Sequence, residues 1–399
     1  MTDNSRLSIK IESDNAKSTS INIDEKLFDH PVLFTGDLHT RRQIMRKKHL
    51  DKYLQLAYKH RKQIQLILVC NVDGLTTDDD DYDGNSITSE YLTLNQYNKI
   101  LSGLRHEGFD VIAYFDENDF MKDVITQKYK MVGERKLLVL NSAQKGTKVG
   151  RKSLIPSFCD LHHIYYNNSN AYIVSLCRDK YCSGCILENR NLPTPKSWLY
   201  RYGQGWLLND KPDKNRKVIA KLNFETSSIG LDNNSIFTYD ESKDSYIKSL
   251  CEQYKQDVII QEFIYGYEIE VSFINEKSTY VFPPMGIKMK ENELLGEQIL
   301  DYTIRKDHPY TFYDFSEVST YIASEIQECT KHVSELFDIS GLGRIDYRIT
   351  PEHRYYITDV ATNPGYGDYS STYHAFLNMG YSYSEMLAIL IGITLAKYT

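Results

Sequence analysis

Gly341-Leu342-Gly343-Arg344-Ile345-Asp346-Tyr347, answered by Ile357-Thr358-Asp359-Val360-Ala361-Thr362-Asn363-Pro364-Gly365, is the stretch on which the reading of this chain turns. Ile345, Tyr347 and Ile349 alternate with Arg344, Asp346 and Arg348, the period of a half-buried strand, and Pro351-Glu352-His353 reads as the turn before a second strand. A turn centred on Glu352 and His353 sets Asp346 opposite Asp359 and pairs Ile345 with Val360, Tyr347 with Thr358 and Ile349 with Tyr356 on the core side. Two carboxylates opposed on one sheet face repel each other, and a bound divalent cation turns the repulsion into coordination. With Arg344 on the same face, the pair suits Mg²⁺ and a phosphate. Two solvated aspartates on an edge hairpin are the alternative reading.

A chain of 399 residues exceeds one ordinary core, so two or three domains are expected. Its 41% hydrophobic and 25% charged residues are those of a soluble globular protein, and a formal net charge of -7 argues against a general nucleic-acid binder. Met1-Thr2-Asp3-Asn4-Ser5 is polar, and the longest apolar run, near Met386 to Ala396, is too short to span a bilayer, so no membrane partner is expected. Seven cysteines without framework spacing fit a reduced, cytoplasmic setting. Cys182 and Cys185 lack a second pair for zinc and sit in helical surroundings, where structural cysteines are the simpler reading.

Upstream, residues 1 to 30 read as a polar extension. Strands are expected at Pro31 to Gly36, Ile64 to Cys70, Val111 to Ala113-Tyr114 and Lys136 to Leu140, alternating with helices at Arg41 to Lys59 and Leu94 to Glu107. That alternation predicts an α/β fold with a parallel sheet. Asp78 to Asp81 reads as a solvated acidic loop. Asn141 to Asn170 reads as irregular, and Ala171 to Arg190 as helix stopped by Leu192-Pro193-Thr194-Pro195. Beyond Trp198, strands are expected at Lys217 to Leu222, Asp257 to Phe263 and Glu268 to Ile274, with an unpatterned loop at Leu295 to Tyr313 and helices at Val318 to Phe337 and Ser384 to Lys397.

No G-x-x-x-x-G-K-[ST] loop and no G-x-G-x-x-G fingerprint is present. Glu225-Thr226-Ser227-Ser228-Ile229-Gly230, directly after the strand that ends with Lys221, offers backbone N–H groups, hydroxyls and a point charge to phosphate oxygens. An ordinary Ser/Gly turn is the competing reading.

Taken together, Lys221 with Glu225 to Gly230, Gln261-Glu262-Phe263-Ile264-Tyr265-Gly266-Tyr267-Glu268, Arg344-Ile345-Asp346 and Asp359 to Gly365 resemble, in order and spacing, the ATP-grasp enzymes, and among them the D-alanine–D-alanine ligases. The resemblance covers residues 171 to 399, with Asp179-Lys180 ahead of Leu192 to Pro195 and Ser382-Tyr383 near the end, and extends more loosely over residues 31 to 170. It implies the three-domain ATP-grasp architecture, with an N-terminal Rossmann-like parallel-sheet domain at 31–178, a central subdomain at 179–264 and a C-terminal ATP-grasp domain at 265–399. It further implies ATP and Mg²⁺ as cofactors and small amino or carboxylic acids as substrates, joined through an acyl phosphate; a homodimer is left open. Lys180 and Lys221 would then reach the α- and β-phosphates, while Glu225, Ser227 and Ser228 belong to the loop over the phosphates. Gln261 would bind the adenine amino group, Glu262, Phe263 and Ile264 the adenine slot, and Glu268 the ribose. Asp346, Asp359 and Asn363 would hold Mg²⁺, Arg344 would stabilise the tetrahedral oxyanion, Ser370 or Ser371 would meet the second substrate's carboxylate, and Arg305 or Lys306 the γ-phosphate.

Three positions depart from the family. Ala361 stands where the ligases have a metal-binding Asn, Asp359 stands for a longer Glu, and Thr35 to Arg41 lacks the Glu that grips the first substrate's amino group. The last argues against D-alanine as first substrate; Arg41 and Arg42 either favour an acidic or non-amino substrate or lie on a solvated helix face. A scaffold that binds ATP without turnover and an ester-forming ligase share the same motifs.

Overall fold

The structure, a computed structural model, describes residues 50–77, 80–128 and 134–399. The expected strand at Pro31 to Gly36, the opening loop with Arg41 and Arg42, part of the acidic run and the side chain of Lys306 lie outside the described residues. Three sheets carry the fold. The first joins β1 (Ile64–Val69), β2 (Val111–Tyr114), β3 (Lys136–Asn141) and β4 (Tyr165–Tyr166) in the order β2-β1-β3-β4, all parallel. Every residue of β1 is buried, as a strand covered on both faces requires. Leu66 and Leu68 enter one core with Leu138 and Leu140, whereas Ile67 and Val69 enter another with Val139, Phe120 and Ile155. The one polar interloper, Gln65, is satisfied by donating to the Asp110 carbonyl at 3.0 Å.

The second sheet is antiparallel: β5 (Ser197–Arg201), β6 (Gly205–Trp206), β7 (Lys217–Leu222), β8 (Ile236–Thr238) and β9 (Val258–Glu262), in the order β6-β5-β9-β7-β8. The third contains β10 (Tyr267–Glu276), β11 (Ser278–Val281), β12 (Met285–Met289), β13 (Tyr310–Asp314), β14 (Gly341–Ile349) and β15 (Tyr355–Ala361), in the order β13-β12-β10-β14-β15 with β11 also on β10. The helix Thr320–Leu336 covers the apolar face of this sheet through Ile322, Ile326 and Val333.

The helix Tyr383–Tyr398 is buried on almost every side and returns to the first sheet. It packs so closely on the helix at 50–60 that a Cβ on Gly392 would lie 1.9 Å from the Tyr53 carbonyl oxygen. No helix among the described residues is long and apolar enough to cross a membrane; the apolar pair Ser371–Asn378 and Tyr383–Tyr398 is bent by 100°.

Four expectations need correction. The stretch Asn141 to Asn170 is not irregular throughout but holds the helix Leu154–Leu161 and β4. Ala171 to Arg190 is not one helix: it breaks at Asp179, whose backbone is extended and whose carboxylate caps the second helix by accepting from the Cys182 N–H at 3.0 Å. The segment Leu295 to Tyr313 is partly ordered, with the helix Tyr302–Asp307 and β13 inside it. Finally, the turn is centred on Glu352 alone rather than on Glu352 and His353, so that Ile349 pairs with Tyr355 and Tyr347 with Ile357, and a bulge then restores the expected opposition of Asp346 to Asp359 and of Ile345 to Val360. Thr358 is the extra residue, its hydroxyl turned back to the Asp346 carbonyl at 3.2 Å.

Candidate active site

A cleft of about 490 Å³ opens between the three sheets, and it is lined by Lys180, Lys221, the serine loop and residues of the stretches Gln261 to Glu268, Arg344 to Asp346 and Asp359 to Gly365. Its floor is the polar face of the third sheet. Alternation places Glu268 and Glu270 on one face of β10, and the register carries Glu270 to Asp346 and Asp346 to Asp359, three carboxylates abreast across three strands. Arg344 answers two of them: its guanidinium grips Asp346 at 2.7 and 2.8 Å and reaches Glu270 at 3.0 Å. Burial pushes the Asp346 carboxyl up to about 7; Glu270 and Asp359 add to the shift and Arg344 opposes it. Burial would also raise Asp359, but Lys180 and Lys221 outweigh it and hold this carboxyl below its ordinary value.

Beside this floor, Lys221 of β7 donates to Gln261 Oε1 at 3.1 Å, and Gln261 donates in turn to Ser197 Oγ at 3.2 Å. Burial brings the Lys221 amine down to about 8, against the pull of Asp359 and Glu268. Lys180, presented at the first turn behind the Asp179 cap, donates to the Glu225 carbonyl at 2.8 Å and stands 3.3 Å from Asp359. Glu268 is paired with Arg348 at 2.6 Å. Phe263, between the guanidinium of Arg348 at 5.4 Å and the amine of Lys217 at 5.7 Å, lines the cleft with Glu262 and Ile264, and the Glu262 carboxylate turns to Arg216 at 3.2 Å. Ser227 and Ser228 both take left-handed backbone conformations, φ 52° and 57°, which turns the loop sharply beside the cleft. Ser370 caps the helix Ser371–Asn378 by accepting from the Tyr373 N–H, and Ser371 Oγ donates to Glu270.

Two of the named residues have their functional groups directed elsewhere. Glu225 accepts from Arg151 at 2.7 Å, Tyr82 at 2.6 Å and Gln256 at 3.2 Å, so its carboxylate belongs to a buried network under the loop. Asn363 has both ends of its amide engaged, accepting from Asn168 and donating to the Asn141 carbonyl at 3.3 Å. Among the described residues no three His, Cys, Asp or Glu side chains are gathered as metal ligands. Asp346 and Asp359 are therefore a pair, which fits Mg²⁺, an ion usually held by one or two carboxylates with phosphates and water completing its shell. The elevated Asp346 carboxyl marks a place where a positive counter-charge is wanted.

Among the cleft residues that the sequence reading did not assign to the site are Glu270, Arg348, Glu90 and Lys152. Glu270, 1% exposed as a side chain, joins Arg344, Arg305 at 3.1 Å and Ser371. Arg348 donates to the carbonyls of Gly266, Gly296 and Gln298 at 3.2, 3.0 and 2.7 Å, tying the segment after β12 to the floor. Glu90 and Lys152 come from the loops of the first sheet. Alternation two residues from Glu268 would have found Glu270, and two residues from Asp346 it would have found Arg348; nothing local marks Glu90 and Lys152, whose role arises from contacts far apart in the chain.

Residues 216–392 match the family model described as D-ala D-ala ligase C-terminus. An uncharacterized protein, y4sG, of Sinorhizobium fredii is 21% identical over 65% of this chain and 75% of its own length. D-alanine–D-alanine ligase B of Clostridium perfringens is 25% identical over 73% of this chain and 92% of its own length. Among solved structures, D-alanine–D-alanine ligase from Bacillus anthracis complexed with ATP superposes with a TM-score of 0.62 at 16% identity, over 83% of this chain and 97% of that one.

Proposed function

From the premise that this chain has the ATP-grasp fold and resembles the D-alanine–D-alanine ligases, we propose that it is an ATP-dependent ligase that joins a carboxylic acid to an amine, releasing ADP and phosphate. The observation that carries the reading is the convergence of Lys180, Lys221, Arg344, Asp346 and Asp359 on one cleft from motifs that lie up to 179 positions apart between Lys180 and Asp359. ATP supplies the phosphoryl group that converts a carboxylate to an acyl phosphate, and Mg²⁺ held by Asp346 and Asp359 would neutralise phosphate charge.

The chain's own groups do the rest. Lys180 and Lys221 place cations where the phosphates gather, and the low proton affinity of Lys221 is restored once an anion replaces the water it lost. Gln261 presents its amide next to Phe263 and Ile264 for the base, and Glu268 is held by Arg348 for the ribose. Arg344 directs charge at the acyl carbon, where an oxyanion develops when the amine attacks. Arg305, on the helix Tyr302–Asp307, closes the cleft over Glu270 and excludes the water that would hydrolyse an acyl phosphate. A cytoplasmic setting suits this reading, as ATP is abundant there and all seven cysteines are free.

The test is ADP and phosphate release by the purified chain with Mg²⁺, ATP and a panel of amino and carboxylic acids. Substrate-dependent release supports the ligase; ATP binding with no release by any pair of acids refutes it. Ala361 beside the acid pair favours one second reading, an ATP-binding scaffold with impaired turnover. ATP binding that shows no dependence on Mg²⁺ would support the scaffold.

A further inference from the structure

Under the serine loop lies a buried group of five charges that the proposed mechanism does not use. Arg151, Lys152 and Arg178 face Glu90 and Glu225, so three cations stand against two carboxylates. The side chains of Arg151, Arg178, Glu90 and Glu225 are 0 to 5% exposed. An unmatched charge held from water is strongly unfavourable unless a partner compensates it. Lys152 is the member that reaches outward: its side chain is 18% exposed and lines both the cleft and a smaller adjoining cavity of about 50 Å³. Its amine donates to Thr226 Oγ1 at 2.9 Å and pairs with Glu90 at 3.0 Å, which leaves a third N–H. One further polar atom at this wall, the hydroxyl Ser89 Oγ, is buried with no hydrogen-bond partner among the described residues, and Ser89 lines the cleft.

We infer that Lys152 binds a second carboxylate of the acyl-donating substrate, with the Ser89 hydroxyl as a second donor, so that the donor is a dicarboxylic acid or an acidic amino acid. This rests on the ligase reading for the word donor. The wall in question is built by the loops of the first sheet, Ser89 and Glu90 included, whereas the groups assigned to ATP come from Lys180, β7, the serine loop, β9 with Phe263 and Ile264 beyond it, and β10. The bound carboxylate would balance the excess charge of the cluster and accept the third N–H of Lys152.

Calorimetric titration of the full chain, preloaded with ADP and Mg²⁺, tests this with glutarate and glutamate against butyrate and glutamine. The expected result is binding of the acids at least about tenfold tighter than the counterparts that lack the second carboxylate, the worth of one charge-assisted hydrogen bond. Lys152→Gln should erase the difference, and Lys152→Arg should keep most of it. Equal binding of acid and amide by the unmodified chain overturns the inference, and this arm needs no variant to fold. A preference that survives Lys152→Gln overturns it too, as does loss of ADP affinity in that variant, which would put the amine on a phosphate. Tight binding of the acids without ADP release in the turnover assay would leave the subsite standing and remove the ligase reading instead.

Discussion

Glu270 sits where the third sheet, the segment after β12 and the helix Ser371–Asn378 meet, and its carboxylate takes one partner from each: Arg344, Arg305 and Ser371. Burial would raise its proton affinity, but the two arginines outweigh that and hold it ionised. Glu270→Gln keeps the shape and removes the charge, leaving the Arg305 guanidinium without its carboxylate and Arg344 with Asp346 alone. A fall of about 10- to 100-fold in kcat is expected, corresponding to roughly 1.4 to 2.7 kcal/mol of misplaced electrostatics. The KM for ATP should move far less, which steady-state ADP release would check. Lys152 gives a pH dependence. Burial brings its amine down to about 7, with Arg178 and Arg151 adding and Glu90 opposing, while Glu225 and Tyr82 complete the charged surroundings. A lysine depressed in the fold is charged in both folded and unfolded chains below pH 7. Between about 7 and its ordinary value the unfolded chain binds the extra proton, so this group's cost to stability is relieved as pH rises through that window. Affinity for a carboxylate at Lys152 should change in the opposite sense, falling above about pH 7 in titrations at pH 6, 7 and 8.

Short elements hold these side chains in place. Asp179 ends one helix, begins the next and also accepts from Asn223 Nδ2 at 2.9 Å, so one carboxylate orients both Lys180 and the exit from β7. Asp179→Ala removes a cap and a cross-link; about 1–2 kcal/mol of stability should be lost, read as a lower midpoint in urea. Arg348 acts on a longer span through three carbonyls, and Arg348→Met should speed amide hydrogen exchange in residues 295–300 while weakening ATP binding. The sequence was readable where one periodicity governed: β1, β3 and β10 are strongly patterned, and counting across the turn reached the opposition of Asp346 and Asp359, the bulge making up for the difference in the turn. It was unreadable where distant contacts decided. The bulge at Thr358 shifts the register by one residue within the strands, where no count across the turn can reach it, and the segment 302–314 is tied down by Arg305 reaching Glu270 and by Tyr310 pairing with Met289 of β12. Polar composition alone could not distinguish a strand such as β13 from a loop.

Across the whole molecule, the cleft residues were legible because the motifs occur in a fixed order, while the charge cluster beneath them was not, since Glu90, Arg151, Arg178 and Glu225 are separated by up to 135 positions from Glu90 to Glu225. The same is true of the core that unites the first sheet with the end of the chain. Gly392→Val would force a side chain against the Tyr53 carbonyl, and a lowered thermal midpoint is expected, by about 1–3 kcal/mol or more of destabilisation, in circular dichroism. Mutation of Leu208, 89% exposed, should leave that midpoint unchanged and serve as the control. That closing helix has a further consequence for biogenesis. Ribosomes deliver a chain from its amino end at about 5–20 residues per second, and domains ordinarily fold as they emerge. Here one of the two cores of the earliest parallel layer stays incomplete until Met386, Leu387 and Ile391 leave the exit tunnel. Nascent chains stalled before residue 383 should therefore expose that layer to proteases, and protection should arrive once the helix Tyr383–Tyr398 has emerged.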